Sequence, residues 1–94
     1  MIDLKILRKT IKERLDKEVT KSLLIFIGYE IGRYYKFKIR EERTPSASID
    51  KQGYITDFGD GWSGDPVALL YEKHGIPLPE ATRYIADCLG IDYE

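Results

Sequence analysis

Residues 33–58 read RYYKFKIREERTPSASIDKQGYITDF, and this stretch decides the fold. Tyr35, Phe37 and Ile39 alternate with Lys36, Lys38 and Arg40. That period of two belongs to a half-buried strand with a basic outer face. Thr44-Pro45 interrupts it, because proline has no N–H to give to a ladder. Ser46 to Asp50 resumes the alternation, with Ala47 and Ile49 on one side. Lys51-Gln52-Gly53 reads as a turn in which glycine supplies a positive φ. Tyr54 to Phe58 then returns as a third strand. Three short strands with tight connections predict an antiparallel meander.

Helical periods lie on both sides of the meander. Upstream, Asp3 is placed to cap a helix whose Leu4, Leu7, Ile11 and Leu15 form one apolar stripe. Lys5, Arg8, Lys9, Lys12 and Arg14 lie mostly off that stripe. Glu18 to Ile27 reads as a second helix, capped by Asp16 or Thr20, with Val19, Leu23, Leu24, Phe26 and Ile27 turned inward. Downstream, a glycine-dense loop from Gly59 to Gly64 leads to Asp65-Pro66. That pair is an N-cap followed by proline at the first helical position. Gly75 ends this helix, Pro77 and Pro79 open a last one, and Gly90 closes it. Ala81, Tyr84, Ile85, Cys88 and Leu89 are expected on its buried face. The predicted class is α+β, a small sheet of about three strands between N- and C-terminal helices, in a single domain spanning 1–94.

A chain of 94 residues buries only about 60–65% of its unfolded surface. That excludes a two-domain enzyme with separate cofactor and substrate domains. The longest apolar run, Leu23 to Ile27, is far too short to span a bilayer. The opening MIDLKILRKT shows no secretory signal, so the expectation is a cytoplasmic protein without membrane contact. One cysteine excludes a disulfide framework and a multi-cysteine zinc site. Net charge is −1 but unevenly spread. Residues 1–43 carry twelve Lys and Arg against seven Asp and Glu, and residues 44–94 carry three against nine. Such asymmetry fits either a polyanion on the basic half or attraction between the halves within the fold.

Catalytic constellations find little support. Asp57, Asp60 and Asp65 bracket the glycine loop, but their spacing lacks the alternating oxygens and distal Glu of a calcium loop. The loop also lacks the lysine and hydroxyl of a phosphate-binding Walker motif. Cys88 has no histidine beside it and reads as a small buried hydrophobe. His74 stands at a helix C-terminus, where the dipole favours a cation. No enzyme and no cofactor are expected. The basic strand is more informative. Arg33, Lys36, Lys38, Arg40 and Arg43 interleave with Tyr34, Tyr35 and Phe37, a pattern suited to single-stranded nucleic acid. Tyr35, Phe37 and Ile39 read as core, which leaves Tyr34, Tyr54 and Trp62 to stack on bases. Trp62 is either an exposed platform or a lid folded back on the core.

Four segments carry a resemblance. Glu42-Arg43-Thr44-Pro45-Ser46-Ala47-Ser48 is followed by Asp57-Phe58-Gly59-Asp60-Gly61-Trp62-Ser63-Gly64-Asp65, then Pro79-Glu80-Ala81 and Leu89-Gly90-Ile91. In this order and without large gaps, residues 29–91 resemble the zinc-binding N-terminal domain of bacterial replicative primases, and 1–28 form a helical addition. The resemblance implies a zinc-ribbon-like sheet, but the family's four ligand positions correspond here to Phe37, Arg40, Asp57 and Asp60. Zinc takes thiolate, imidazole or carboxylate ligands. The implied form is therefore zinc-free, with Arg40 facing Asp57 and Asp60 through charge-assisted hydrogen bonds.

In that family the domain contacts single-stranded template beside a separate polymerising domain. The implied function is a non-catalytic nucleic-acid-binding module for replication or priming. Lys36, Lys38, Arg43 and Lys51 are expected at phosphates, Thr44 and Ser46 as hydroxyl donors, and Tyr54 and Trp62 against bases. The alternative is an adaptor of a replication or mobile-element system that docks a primase, helicase or other replication protein. Asp50, Asp57, Asp60 and Asp65 favour it, since they would repel DNA.

Overall fold

Each of the first three helices starts where an aspartate can accept a free backbone N–H. The computed structural model describes residues 3–39 and 45–93. Asp3 accepts from Lys5 N at the start of α1 (Leu4–Arg14), and Asp16 from Val19 N at the start of α2 (Lys17–Ile27). Asp65 accepts from Ala68 N ahead of α3 (Pro66–His74). The last helix, α4 (Leu78–Cys88), follows Pro77 without a side-chain cap.

Between the helix pairs lies an antiparallel meander in the order β1-β2-β3-β4. Its strands are β1 (Lys36–Phe37), β2 (Ala47–Ile49), β3 (Ile55–Asp57) and β4 (Trp62–Gly64). The fold is α+β, as expected, with four strands rather than three. Trp62-Ser63-Gly64 reads as loop because glycine weakens a strand, yet Asp57↔Trp62, Thr56↔Ser63 and Ile55↔Gly64 pair in register. The first strand is shorter than its alternation suggests. Tyr34 and Tyr35 both take φ of 58°, and the chain turns at Arg33–Tyr35 before β1 begins. This turn sends Tyr35 to α2. Its hydroxyl donates to Glu18, and the ammonium groups of Lys17 and Lys21 lie 4.7 and 5.3 Å from its ring centroid. The Glu18 bond pushes the Tyr35 phenol up from its ordinary value, with smaller contributions from burial and the Glu18 charge.

Two apolar clusters hold these layers. One is helical, joining Leu7 and Ile11 of α1 to Leu23, Val67, Leu70, Ile85 and Ile91. The other lies under the sheet, where Phe37, Ala47, Ile49 and Ile55 meet Leu24 of α2 and Leu69 of α3. α4 packs against both α1 and α3. Its buried arc is therefore Ala81, Thr82, Ile85 and Ala86, while Tyr84 and Cys88 are exposed. This corrects the inward placement of both residues. Burial raises the Cys88 thiol pKa, the Asp87 charge adds to the rise, and a Tyr84 hydrogen bond opposes it. Phe26 is also turned out, 70% exposed, because Leu24 and Thr20 take the inward positions of α2.

The corner between α1 and α2 clamps the β2–β3 hairpin. Thr20 Oγ1 donates to Gly53 O over 2.7 Å. Gly53 has φ +85°, and a Cβ there would lie 2.5 Å from Thr20 Oγ1 and 2.7 Å from Asp16 O. The turn needs glycine both for its handedness and for this approach. No helix among the described residues is long and apolar enough to cross a membrane.

Candidate nucleic-acid interface

Strand register decides what the outer face of the sheet carries. Lys36 pairs with Ser48, Ser48 with Thr56, and Thr56 with Ser63. Alternation places these four in one row across all four strands, opposite the row of buried Phe37, Ala47 and Asp57 and half-buried Trp62. The row is one ammonium followed by three hydroxyls. None of the four is buried. Just beyond the two ends of β3 stand two exposed aromatics, Tyr54 at 36% and Phe58 at 76% exposure. The open face thus carries a polar stripe, with an exposed ring near each end of β3; hydroxyls and cations suit phosphates, and exposed rings suit bases.

The residues singled out from sequence fall in three groups. Lys36, Lys38, Lys51 and Tyr54 are exposed. Lys36 and Lys38 line one shallow hollow with Glu30 and Pro45, and Lys51 and Tyr54 stand at the hairpin end. Arg40, Arg43 and Thr44 lie outside the described residues, and so does Arg40's part in the cluster with Asp57 and Asp60. Ser46 and Trp62 are half-buried and make contacts within the fold. Ser46 Oγ donates to Asp57 Oδ1 over 2.7 Å. Trp62 takes the lid arrangement. It packs on the cluster beneath the sheet, and its ring lies so close over Gly64 that a Cβ there would meet it at 2.9 Å. The Lys73 ammonium sits 5.3 Å from the indole centroid.

Of the four positions that the resemblance would align with zinc ligands, Phe37, Asp57 and Asp60 lie in the described residues. Phe37 is a core side chain, edge-on to Tyr29 with centroids 5.4 Å apart. Asp57, fully buried, accepts from Ser46 Oγ and from Gly59 N at 2.8 Å. Asp60 accepts from Trp62 N at 2.9 Å and from Lys73 Nζ at 3.2 Å. Those two bonds, the Trp62 one foremost, hold its carboxyl below its ordinary range. Among the described residues no group of three or more His, Cys, Asp or Glu side chains is placed to hold a metal ion.

The aspartates near the open face are engaged within the fold. Asp50 Oδ1 accepts from Gln52 N and Tyr54 N, which closes the hairpin. Asp65 caps α3 and lies 3.5 Å from Arg8 Nη2. Backbone N–H groups hold these carboxylates in place. At the far end of α3, Tyr29 Oη and His74 Nε2 are hydrogen-bonded at 2.6 Å. Burial raises the Tyr29 phenol pKa.

Ser48, Thr56, Ser63 and Phe58 were not singled out from sequence. The signal for Thr56 and Phe58 is their even spacing from Tyr54; for Ser63 there is none until β4 is seen. No protein-family model matches the chain, and no curated protein matches it.

Proposed function

We propose that this chain is a non-catalytic cytoplasmic module that binds single-stranded nucleic acid on the open face of its sheet. In this reading it is a zinc-free relative of the primase zinc-binding domains it resembles, and it serves replication or priming. The observation that supports it most is the Lys36–Ser48–Thr56–Ser63 row flanked by Tyr54 and Phe58. Lys36 meets phosphate, the hydroxyls donate to neighbouring phosphate oxygens, and the rings stack on bases. Lys38 extends the cationic edge, and Arg43 and Thr44 belong to the segment that follows it.

The test is fluorescence anisotropy with labelled single-stranded and duplex DNA at about 50 and 200 mM salt, between which phosphate-driven binding falls steeply. Preferential single-strand binding that weakens with salt is expected. Phe58→Ala should lower affinity by the equivalent of about 1–3 kcal/mol, the usual worth of one stacked base. No binding at low salt would overturn the reading.

A second reading, a protein-interaction adaptor, is favoured by one observation. Ile25, Phe26 and Tyr84 are exposed beside a groove lined by Val19, Leu23 and Leu89. Affinity for a replication protein, with none for oligonucleotides, would favour it.

A further inference from the structure

A hollow of ≈ 570 Å³ opens where the first helix meets the β2–β3 hairpin, lined by Lys12, Leu15, Asp50, Lys51, Gln52 and Tyr54. Its chemistry is unlike that of the sheet row. Two lysines line it, Lys12 from α1 and Lys51 from the turn. Both are exposed. Tyr54 supplies an aromatic wall, Gln52 an amide that both donates and accepts, and Leu15 an apolar floor. The one acid present, Asp50, has an oxygen held by the N–H groups of Gln52 and Tyr54 at 3.0 and 2.9 Å.

The walls come from elements far apart in sequence, yet they are fixed to each other. The Thr20–Gly53 bond and the close approach of Gly53 to Asp16 tie the turn to the helix corner beside it. The backbone that carries the lining is thereby held in place, which lowers the ordering cost of binding. Its size lies within the range of small-ligand sites.

We propose that this hollow holds one nucleotide unit, with its phosphate between Lys12 and Lys51 and its base against Tyr54. The proposal rests on the reading of the sheet as a strand-binding face. It deepens that reading by giving the strand a defined station at the hairpin end, reached through Tyr54. Gln52 faces the edge of the base, where an amide can discriminate. Phosphate beside a heterocyclic base is offered by a strand or by a free mononucleotide, and the experiment separates the two.

Binding of a labelled thymidine 12-mer is measured by anisotropy across a salt series, for the native chain and for K12A/K51A, Tyr54→Leu and Lys36→Ala. Far-UV circular dichroism controls for folding; all four side chains are exposed. Losing one phosphate contact should flatten the slope of log K against log salt by about 0.7. Tyr54→Leu should lower affinity roughly 5- to 150-fold with the slope unchanged. If the native chain binds and only Lys36→Ala weakens it, the hollow is not the station, and the sheet reading stands. If the native chain does not bind the 12-mer, the sheet reading falls. Titration with thymidine 5′-monophosphate, followed by the amide resonances of Gln52 and Tyr54, then decides. Shifts that vanish in K12A/K51A make the hollow a free-nucleotide site, and no shifts overturn the proposal.

Discussion

Replacing Gly53 with alanine should be the most damaging single-methyl change in this protein, and its size follows from geometry. At φ +85° an L-residue carries a left-handed penalty of about 1–2 kcal/mol. The new Cβ would lie 2.5 Å from Thr20 Oγ1 and 2.7 Å from Asp16 O, where ordinary contact begins near 3.4 Å. One of those atoms is backbone, so the helix corner itself must move, an overpacking of about 1–3 kcal/mol. Moving it also weakens the buried Thr20–Gly53 hydrogen bond, worth about 1 kcal/mol. Together these reach about 3–6 kcal/mol. A domain of 94 residues has only about 5–14 kcal/mol in total. Gly61 is the control, since it has φ +78° with nothing within 4 Å. Gly61→Ala should cost only the left-handed penalty, about 1–2 kcal/mol. Urea unfolding of both variants gives the difference directly, provided the m-values agree. A gap of about 2–4 kcal/mol is expected. Equal losses in the two variants would refute the clamp between the helix corner and the hairpin.

Three further outcomes concern the second hairpin and its aspartates. Asp57→Ala leaves the Ser46 hydroxyl and Gly59 N–H without this acceptor. It should cost about 3 kcal/mol, a fall in Tm of roughly 12–24 °C. Excess chelator should leave the native Tm unchanged, and zinc bound at unit stoichiometry would contradict that. Asp60 has a folded-state pKa below its unfolded one. Its contribution is therefore present above the unfolded value, near pH 4, and is lost as pH falls through the folded value. Asp60→Asn should flatten the decline of the urea midpoint below about pH 4, and an unchanged decline would show that its hydrogen bonds do not hold the charge.

The parts of this fold legible in the sequence are those set by local chemistry. The caps at Asp3, Asp16 and Asp65 and the turn at Gly53 follow from nearest-neighbour backbone needs. What pairing decides was hidden. β4 exists because β3 offers it a ladder, although Gly64 argues against a strand. The row of Ser48, Thr56 and Ser63 follows from register, a relation between segments that no single segment encodes. The α4 face was misjudged at Tyr84 and Cys88 because two neighbours, α1 and α3, share in choosing the buried arc. Tyr34 and Tyr35 read as strand residues, and only the fold reveals their positive φ. Lys12 reads as one cation among several on a solvated helix until the corner brings it to Lys51.

The chain has a single tryptophan, and it sits on the cluster under the sheet rather than in the helical one. Its emission is thus a local witness of the sheet's seam with α3. Far-UV circular dichroism is dominated by the four helices. The two signals interrogate different cores of one molecule. If both cores melt as a unit, the two curves superimpose. If the sheet loosens first, fluorescence moves ahead of ellipticity, and the native protein carries its own gauge of how tightly the two cores are joined.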